Sequence, residues 1–298
     1  MFALKRRRSY SDKIFDVVNV LIMVLVLIVF LWPLWFVLIA SISDPFAVTK
    51  GEIFLFPRGL TLESYKAIMK YSTIVTGYGN SIYYTVVGTV INLILSVCFA
   101  YPLSRKNFPL KKVFLLLFLF TMYFNGGLVP TYLVVKSLGI ANTRWAMIIP
   151  NAISVYNCLV VRNYFVNSIP GELEEAAILD GANTAQYLTR VVLPLSKPVL
   201  AVVGLYYAVS HWNDYYNALI YLQDIELYPL QSILKSIMSS TQMINDPSLS
   251  PEAVELLVRQ EMTMKYSVIV AAALPMLCLY PFIQKYFVKG VMVGAVKG

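Results

Sequence analysis

Long runs of apolar residues constrain this 298-residue chain more than any other feature of its sequence. The first run extends from about Ile14 to Ala40, and Asp16 is the one charged residue within it. A helix that crosses a bilayer needs about 20 consecutive apolar residues, because the hydrocarbon layer is about 30 Å thick. With 58% hydrophobic and 13% charged residues overall, the chain is expected to be an all-α polytopic membrane protein with about six transmembrane helices.

The apolar runs predict where these spans lie. They extend over about Ile14–Ala40, Ser81–Ser104, Val113–Val135, Trp145–Val166, Val199–Leu222 and Lys265–Phe287. The first run could also be a signal peptide, but it is too long and no small-residue cleavage site follows it closely, so we expect a retained helix. The sequence "NGGLVP", Asn125–Pro130, is expected to unwind or kink the third span.

Lys and Arg residues predict the orientation of the spans. If the N-terminus is cytoplasmic, the inner segments collect most of the basic residues, whereas the outer loops are close to neutral. Because cytoplasmic loops are enriched in Lys and Arg, both termini are expected in the cytoplasm and the chain in the cytoplasmic membrane. The predicted organisation is a basic tail (1–13), a first transmembrane helix (14–42), an extracytoplasmic loop (43–79), a core (80–290) that contains a cytoplasmic segment (168–197) and an outer loop (223–264), and a cytoplasmic tail (291–298).

Several kinds of chemistry are excluded by the sequence. It contains no Gly-x-x-x-x-Gly-Lys-Ser/Thr phosphate loop and no nucleophile elbow. The single histidine, His211, rules out multi-histidine metal motifs. The three cysteines lie in apolar runs and suggest packing rather than a disulfide framework. We therefore expect no catalytic residues, no metal and no cofactor bound by this chain.

The segment "EEAAILDGANTAQYLTRVVLP", Glu174–Pro194, is unusually acidic for this chain. Pro170 suits a first helical turn, and the carboxylates that follow it are favoured at a helix N-terminus. Gly181 can end this helix in the left-handed conformation, and Asn183 or Thr184 can cap a second helix that Pro194 would end. The pattern predicts a helix–turn–helix on the cytoplasmic side, although an ordinary amphipathic connector on the membrane surface would have a similar composition. DNA binding is not expected, because the segment is acidic and lies between spans.

This segment resembles the EAA motif of ABC importer permeases. The motif residues are Glu175-Ala176-Ala177, Gly181, Val191 and Leu193-Pro194, and Val191 replaces the isoleucine of the family pattern. The sequences "FNGGLVPTYLVVKSLGI", "LPLSKPVLAVVGLYYAVSHWNDYYNALIY" and "QKYFVKGVMVGAVKG" are similar to carbohydrate-uptake permeases of the MalG type, and within that group to the LplC-like oligosaccharide and polysaccharide importers. The resemblance covers most of the chain, except the first span and the loop after it.

The resemblance implies a type I ABC importer permease fold and a set of partners. These are a second permease subunit in a heterodimer, two cytoplasmic ATPase subunits that bind ATP and Mg, and an extracytoplasmic solute-binding protein. The EAA segment would be the helix that couples the permease to the ATPase. The residues expected to contact the ATPase are Glu174, Glu175, Ala176, Ala177, Asp180, Gly181 and Ala182.

Polar residues within the spans predict a substrate path. Polar groups inside a membrane are costly, and by default they indicate function. In the fifth span, Tyr206, Ser210, Asn213 and Asn217 share one helical face, while Tyr207, His211 and Asp214 share the adjacent one. Asn151 and Asn157 of the fourth span, and Tyr123 and Asn125 of the third, could join them. The alternative is that these side chains only bond neighbouring helices together.

Two other functional classes remain open at this point. A self-sufficient secondary transporter would show paired repeats and broken helices in both halves, and a membrane-embedded enzyme would need more catalytic carboxylates than Asp214. The cargo is an oligosaccharide by resemblance alone. Lys136 and Arg144 near the outer mouth are the basic residues that could favour an acidic sugar, which leaves uronic-acid oligomers such as alginate fragments open.

Overall fold

The computed structural model describes residues 10–239, 250, 264–281 and 284. Among these residues the regular elements are helices, and no strand occurs. The α-helices in chain order are α1 (Tyr10–Ser41), α2 (Pro45–Thr49), α3 (Glu63–Lys70), α4 (Ser72–Ser104), α5 (Lys111–Tyr123), α6 (Leu128–Ser137), α7 (Val155–Ser168), α8 (Glu172–Leu179), α9 (Thr184–Tyr187), α10 (Leu193–Leu195), α11 (Lys197–Trp212), α12 (Tyr216–Tyr221), α13 (Leu230–Ser239) and α14 (Met264–Pro281).

Three predicted features lie outside the described residues. They are most of the basic N-terminal tail (1–9), part of the outer loop (240–249 and 251–263) and the C-terminal tail (291–298).

Three of the described helices, α1, α4 and α14, are long and apolar enough to cross a membrane. Two bent helix pairs would raise the number of spans to five. In the first pair, α5 and α6 meet at 113° around Phe124–Gly127, so the interruption predicted at "NGGLVP" is present. In the second pair, a helical run from Thr184 to Leu195 meets α11 at 80°. The described residues thus contain three to five spans, where the sequence predicted about six.

The predicted fourth span is not a single long helix. Residues 144–154 form a 3-10 turn, Arg144–Met147, and an irregular segment that contains Pro150. Proline lacks an amide hydrogen and disfavours helical geometry in the residue before it. Helix α7 therefore begins only at Val155, where the Ser154 side chain accepts a hydrogen bond from the Asn157 amide at 3.4 Å. Its 14 residues are fewer than a simple crossing of the membrane requires.

The predicted fifth span is also divided. Helix α11 ends at Trp212, and a short turn separates it from α12. The Asp214 carboxylate in this turn accepts hydrogen bonds from the backbone amide and the side-chain amide of Asn217, at 3.1 and 2.7 Å. A carboxylate that binds a free amide at a helix start favours a new helix over continuation of the old one.

The chain divides into two compact units, Met1–Lys70 with Ser240–Ala271 and Tyr71–Ser239 with Ala272–Gly298. In the first unit, α1 buries only Ile39–Ser41 and exposes most of its other side chains, as expected for a helix surrounded by lipid. The segment after α1 folds back against its end. There the Trp35 indole donates to the Leu55 carbonyl at 3.0 Å, and the Tyr65 hydroxyl donates to Ser41 Oγ at 2.8 Å.

In the second unit, α4 is the central helix and packs chiefly against α11 and α7. Its exposed face carries branched apolar residues, whereas its buried face is made of small and polar residues. The buried face includes Gly77, Asn80, Ser81, Tyr84, Thr85, Gly88, Asn92 and Ser96. In membranes, small residues let helices approach closely and polar side chains hydrogen-bond between them. The polar residues of this span therefore face protein rather than lipid.

Candidate functional site

The EAA-like segment forms the predicted helix–turn–helix. Helix α8 carries three glutamates in its first turn, which is the end that favours negative charge. Gly181 follows α8 with φ of +76°, a left-handed conformation that glycine adopts without strain. The Asn183 side chain then accepts from the Gln186 amide while Gln186 accepts from the Asn183 amide, each at 2.9 Å. This reciprocal capping starts α9.

The second helix of this segment does not end at Pro194, contrary to the sequence prediction. Its helical run continues to Leu195. A π-helical turn, Leu188–Val192, ends two residues before the proline, and the Leu193 amide donates to the Leu188 carbonyl across it. In a π-helical turn the backbone hydrogen bonds join residues five apart instead of four. This change in the bonding pattern lets a helix accommodate a proline, which lacks an amide hydrogen.

The predicted ATPase-contacting residues divide into two groups. Glu174 and Ala177 are half-buried on the side of α8 that faces the helical bundle, where Ala177 packs against a buried cluster containing Tyr101 and Tyr187. Ala182, after the turn, is also half-buried. The exposed group is Glu175, Ala176, Asp180 and Gly181.

Two apolar residues that the sequence reading passed over join the exposed group. Ile178 is 64% exposed and Leu179 is 88% exposed. Both follow Glu175 at helical spacing, so they extend the same outward surface. We call Glu175, Ala176, Ile178, Leu179 and Asp180 the outer face of α8. Its apolar residues inside an otherwise acidic segment were the signal that could have identified it.

Glu174 is bound within the chain. Its Oε2 atom lies 2.7 Å from a guanidinium nitrogen of Arg105, which follows α4 directly. The Arg105 guanidinium also lies over the rings of Tyr101 and Tyr187, at 4.8 and 5.6 Å from their centroids. Burial lowers the pKa of Arg105, but the hydrogen bond and charge of Glu174 outweigh this and leave the pKa above its ordinary value. Arg105 is thus a permanent cation held by α4, α8 and α9.

A polar cavity of about 270 Å³ lies among α4, α7 and α11. This volume is close to the lower end, about 300 Å³, of typical small-molecule sites. Seven of the eleven residues that the sequence analysis considered for the path line it. They are Asn151, Asn157, Tyr206, Tyr207, Ser210, His211 and Asp214. The structure adds Asn92, Ile153 and Ser154 to the lining.

Four predicted path residues do not line this cavity. Tyr123 is 84% exposed, and Asn125 accepts a hydrogen bond from the Gly127 amide at the bend between α5 and α6. Asn213 donates to the Val209 carbonyl, and Asn217 binds Asp214. The last two side chains therefore shape the end of α11 and the start of α12.

Hydrogen bonds fix the wall of the cavity. The Tyr207 hydroxyl lies 2.8 Å from Ser96 Oγ and accepts from the Ser154 amide at 3.2 Å. The Asn92 side chain donates to the Asn151 carbonyl at 3.1 Å. Two buried atoms, Asn92 Oδ1 and His211 Nε2, have no hydrogen-bond partner among the described residues. Buried polar atoms are rarely left unpaired, so a water beside Asn92 Oδ1 is expected. His211 Nε2 faces Gly88 of α4 instead.

Gly88 determines how closely α4 approaches α11 at the cavity. A Cβ atom added there would lie closer than van der Waals contact to the imidazole of His211. His211 is itself only 4% exposed, so its ring has little freedom to move away. The glycine is therefore required by packing.

The charge of the cavity is set by one carboxylate. Among the described residues that line it, Asp214 is the single charged one, and none is Lys or Arg. Arg144, one of the two basic residues predicted near the outer mouth, is 4.9 Å from the Tyr83 ring centroid and donates to Asn80 Oδ1 at 3.4 Å. Its guanidinium therefore contacts side chains of α4. Lys136 is exposed.

Comparisons with known proteins agree on one family. Residues 73–293 match the sequence profile of the family described as binding-protein-dependent transport system inner membrane component. Protein LplC of Bacillus subtilis (strain 168) is 39% identical over 288 residues, which are 97% of this chain and 96% of that protein. The polygalacturonan/rhamnogalacturonan transport system permease protein YtcP of the same organism is 38% identical over 289 residues, covering 97% of this chain and all of that one.

A solved structure is similar as well. It is the crystal structure of a bacterial ABC transporter involved in the import of the acidic polysaccharide alginate. One of its chains superposes with a TM-score of 0.85 at 36% sequence identity, over 94% of this chain and 99% of that chain.

Proposed function

Because the chain belongs to the family of binding-protein-dependent transport system inner membrane components, we propose that it is a permease subunit of an ATP-driven sugar importer. The imported sugar is an oligosaccharide or polysaccharide, and the membrane is the cytoplasmic membrane. The observation that carries the proposal is the family match over residues 73–293, which includes both the helix–turn–helix segment and the polar cavity. The similarity to LplC, YtcP and the alginate importer chain supports a carbohydrate cargo.

The working complex contains further chains in this proposal. A second, different permease subunit completes the path, two ATPase subunits bind ATP and Mg, and a solute-binding protein delivers the sugar from outside. The chain itself carries no phosphate loop, so the energy of ATP hydrolysis must reach it mechanically. The ATPase lies in the cytoplasm, so α8 and both termini are assigned to that side.

The outer face of α8 is the proposed contact with the ATPase. Ile178 and Leu179 are exposed apolar side chains beside the Glu175 and Asp180 carboxylates. An apolar patch with a charged border suits a groove in a protein partner, because the apolar part is desolvated and the charges select the orientation. Ala176 permits close approach of the groove, and Gly181 sets the turn that presents the helix.

The cavity among α4, α7 and α11 is proposed to contact the sugar during transport. Asparagine and serine side chains can hydrogen-bond sugar hydroxyls, and the Tyr206 ring, 44% exposed, can stack on a sugar face. The described residues that line the cavity include no Lys or Arg to pair with an acidic sugar. A uronate sugar such as an alginate fragment would have to find its counter-charges on other chains of the complex.

Replacement of Ser210 by tryptophan tests the path. Ser210 is exposed at the edge of the cavity, so an indole there narrows the opening without removing a buried contact. We expect ATP-dependent uptake of labelled oligosaccharide into vesicles that contain the complete complex to fall about fivefold, since steric overlap of this kind costs about 1–3 kcal/mol.

The matched control is Val209→Trp. Val209 is the preceding residue, is also exposed, and does not line the cavity. It should leave uptake close to that of the unmodified complex. Equal uptake by the two variants would contradict the assignment of the path, and vesicles without any ATP-dependent uptake would contradict the proposed function itself.

A further inference from the structure

The Arg105 side chain contacts residues of three helices, α4, α8 and α9. Its guanidinium donates to Glu174 Oε2 of α8 at 2.7 Å and to Ser104 Oγ of α4 at 3.1 Å. It also lies over Tyr101 of α4 and Tyr187 of α9. Only 18% of its side chain is exposed. The contacts thus join one end of a membrane-spanning helix to both helices of the EAA-like segment.

An isolated salt bridge on a protein surface contributes little, because solvent screens it and two long side chains must be ordered to form it. Arg105 differs from that case in geometry. The two aromatic rings lie against the guanidinium and restrict its position, and cation–π contacts of this kind strengthen as water is excluded. The geometry of the Arg105–Glu174 ion pair is therefore more fixed than that of an isolated surface salt bridge.

The end of α4 that bears Arg105 is itself firmly held. The Arg105 carbonyl accepts a hydrogen bond from Lys111 Nζ at 3.1 Å, and the neighbouring Leu103 carbonyl accepts one from Arg162 Nε of α7 at 3.3 Å. At its middle, the same helix contributes Asn92 to the cavity wall and meets His211 of α11 at Gly88. A displacement of α8 through Glu174 would therefore act on the helix that forms one wall of the cavity.

Among the described residues, the Glu174–Arg105 pair is the only ion pair that α8 makes. Ala177 of α8 also packs against the buried cluster. One alanine side chain buries little apolar surface, so its packing resists separation only weakly, whereas a short charge-assisted hydrogen bond resists it more strongly. The polar link is thus the stronger of these two contacts when α8 is drawn away from the bundle.

We propose that Arg105 is a positioning residue that transmits movement of the ATPase-bound α8 to α4, and so to the wall of the sugar path. This inference rests on the proposed function. According to this proposal, Glu174 binds Arg105 within the chain, and only the outer face of α8 contacts the ATPase. Loss of the link uncouples ATP hydrolysis from transport without releasing the ATPase.

The test measures the number of ATP molecules hydrolysed per sugar imported by the complete complex in vesicles, together with co-purification of the ATPase. Arg105→Glu should retain the ATPase and raise the ATP-to-sugar ratio about threefold, which lies in the range found for mutations that weaken coupling between sites. The charge-swapped double variant, Arg105→Glu with Glu174→Arg, should restore part of the lost coupling. Lys106→Glu places the same charge change on the exposed neighbouring residue and should leave the ratio unchanged.

Each outcome bears on a different claim. An unchanged ratio in Arg105→Glu, or an equal rise in Lys106→Glu, would overturn the proposal for Arg105. Loss of ATPase from Arg105→Glu or from Glu174→Gln would assign the pair to ATPase binding and also overturn it. If the Arg105→Glu chain itself does not fold, so that it cannot be purified from the membrane, Glu174→Gln, which has almost the same shape as the original residue, is measured in its place with the same expected rise. A lack of ATP-driven uptake in the unmodified complex would contradict the proposed function instead.

Discussion

Replacement of both Ile178 and Leu179 by aspartate is expected to abolish capture of the ATPase subunit by this chain. The two side chains are 64% and 88% exposed on the outer face of α8. If they fill an apolar groove of the ATPase, two carboxylates would enter a desolvated surface without partners. Central hot-spot residues contribute about 2 kcal/mol each, so loss of two of them should lower the affinity about a thousandfold.

Co-purification of the tagged chain with its ATPase measures this effect. Thr184→Asp is a suitable control, because Thr184 is exposed in the first turn of α9, where added negative charge is favourable. The control should bind the ATPase normally and show that charge in the segment is not itself harmful. If the double aspartate variant also binds normally, α8 is an ordinary amphipathic connector and the coupling assignment is wrong.

Replacement of Gly88 by valine is expected to remove most transport-competent complex. An added Cβ at Gly88 would overlap the ring of His211, which is almost completely buried. Helices α4 and α11 would have to separate, and the cavity between them would change shape. Overpacking of this kind costs about 1–3 kcal/mol and a β-branched side chain adds to it, so uptake should fall more than about tenfold.

Gly79→Val provides the matched control in the same helix. Gly79 is exposed, and an added Cβ there would meet no atom within 4 Å. Its thermal stability in detergent and its uptake should stay close to those of the unmodified chain. A second variant, Gly88→Val with His211→Ala, makes room for the valine and should recover thermal stability. Normal uptake and stability in Gly88→Val would show that the approach of α4 to α11 differs from the one described here.

The sequence predicted the turn and the helix start of the EAA-like segment because their signals are local, whereas the predicted end at Pro194 was wrong. Gly181, with its left-handed backbone, and the capping pair Asn183 and Gln186 act on residues within one helical turn. The link between Glu174 and Arg105 could not be found in this way. The two residues are 69 positions apart, and only the packing of α8 on the end of α4 brings them together.

The spans show a similar division between what the sequence predicts and what it misses. Apolar runs identified α1 and α4, although α4 begins at Ser72 rather than near Ser81, because its first turns carry polar and small residues. The run Trp145–Val166 was misleading, since composition alone does not reveal that Pro150 interrupts the backbone hydrogen bonds.

The cavity was predicted in part. The polar face of α11 was visible as residues at helical spacing, and Asn92 had a similar signal, because Gly88, Asn92 and Ser96 follow one another by single helical turns. The sequence could not show that this face of α4 meets α11. Ser154 was hidden for another reason, since its contact with Tyr207 is made by its backbone amide.

The central claim is that this chain depends on ATP hydrolysed by another subunit. The alternative is a secondary transporter that works without an ATPase. The two bent helix pairs are compatible with it, because secondary transporters also use broken helices. The decisive measurement is uptake of labelled oligosaccharide into vesicles that contain either the purified chain alone or the complete complex with its ATPase and binding protein. We predict uptake by the complete complex when ATP is supplied on the ATPase side, and none by the chain alone under a proton or sodium gradient. Gradient-driven uptake by the chain alone would contradict the account.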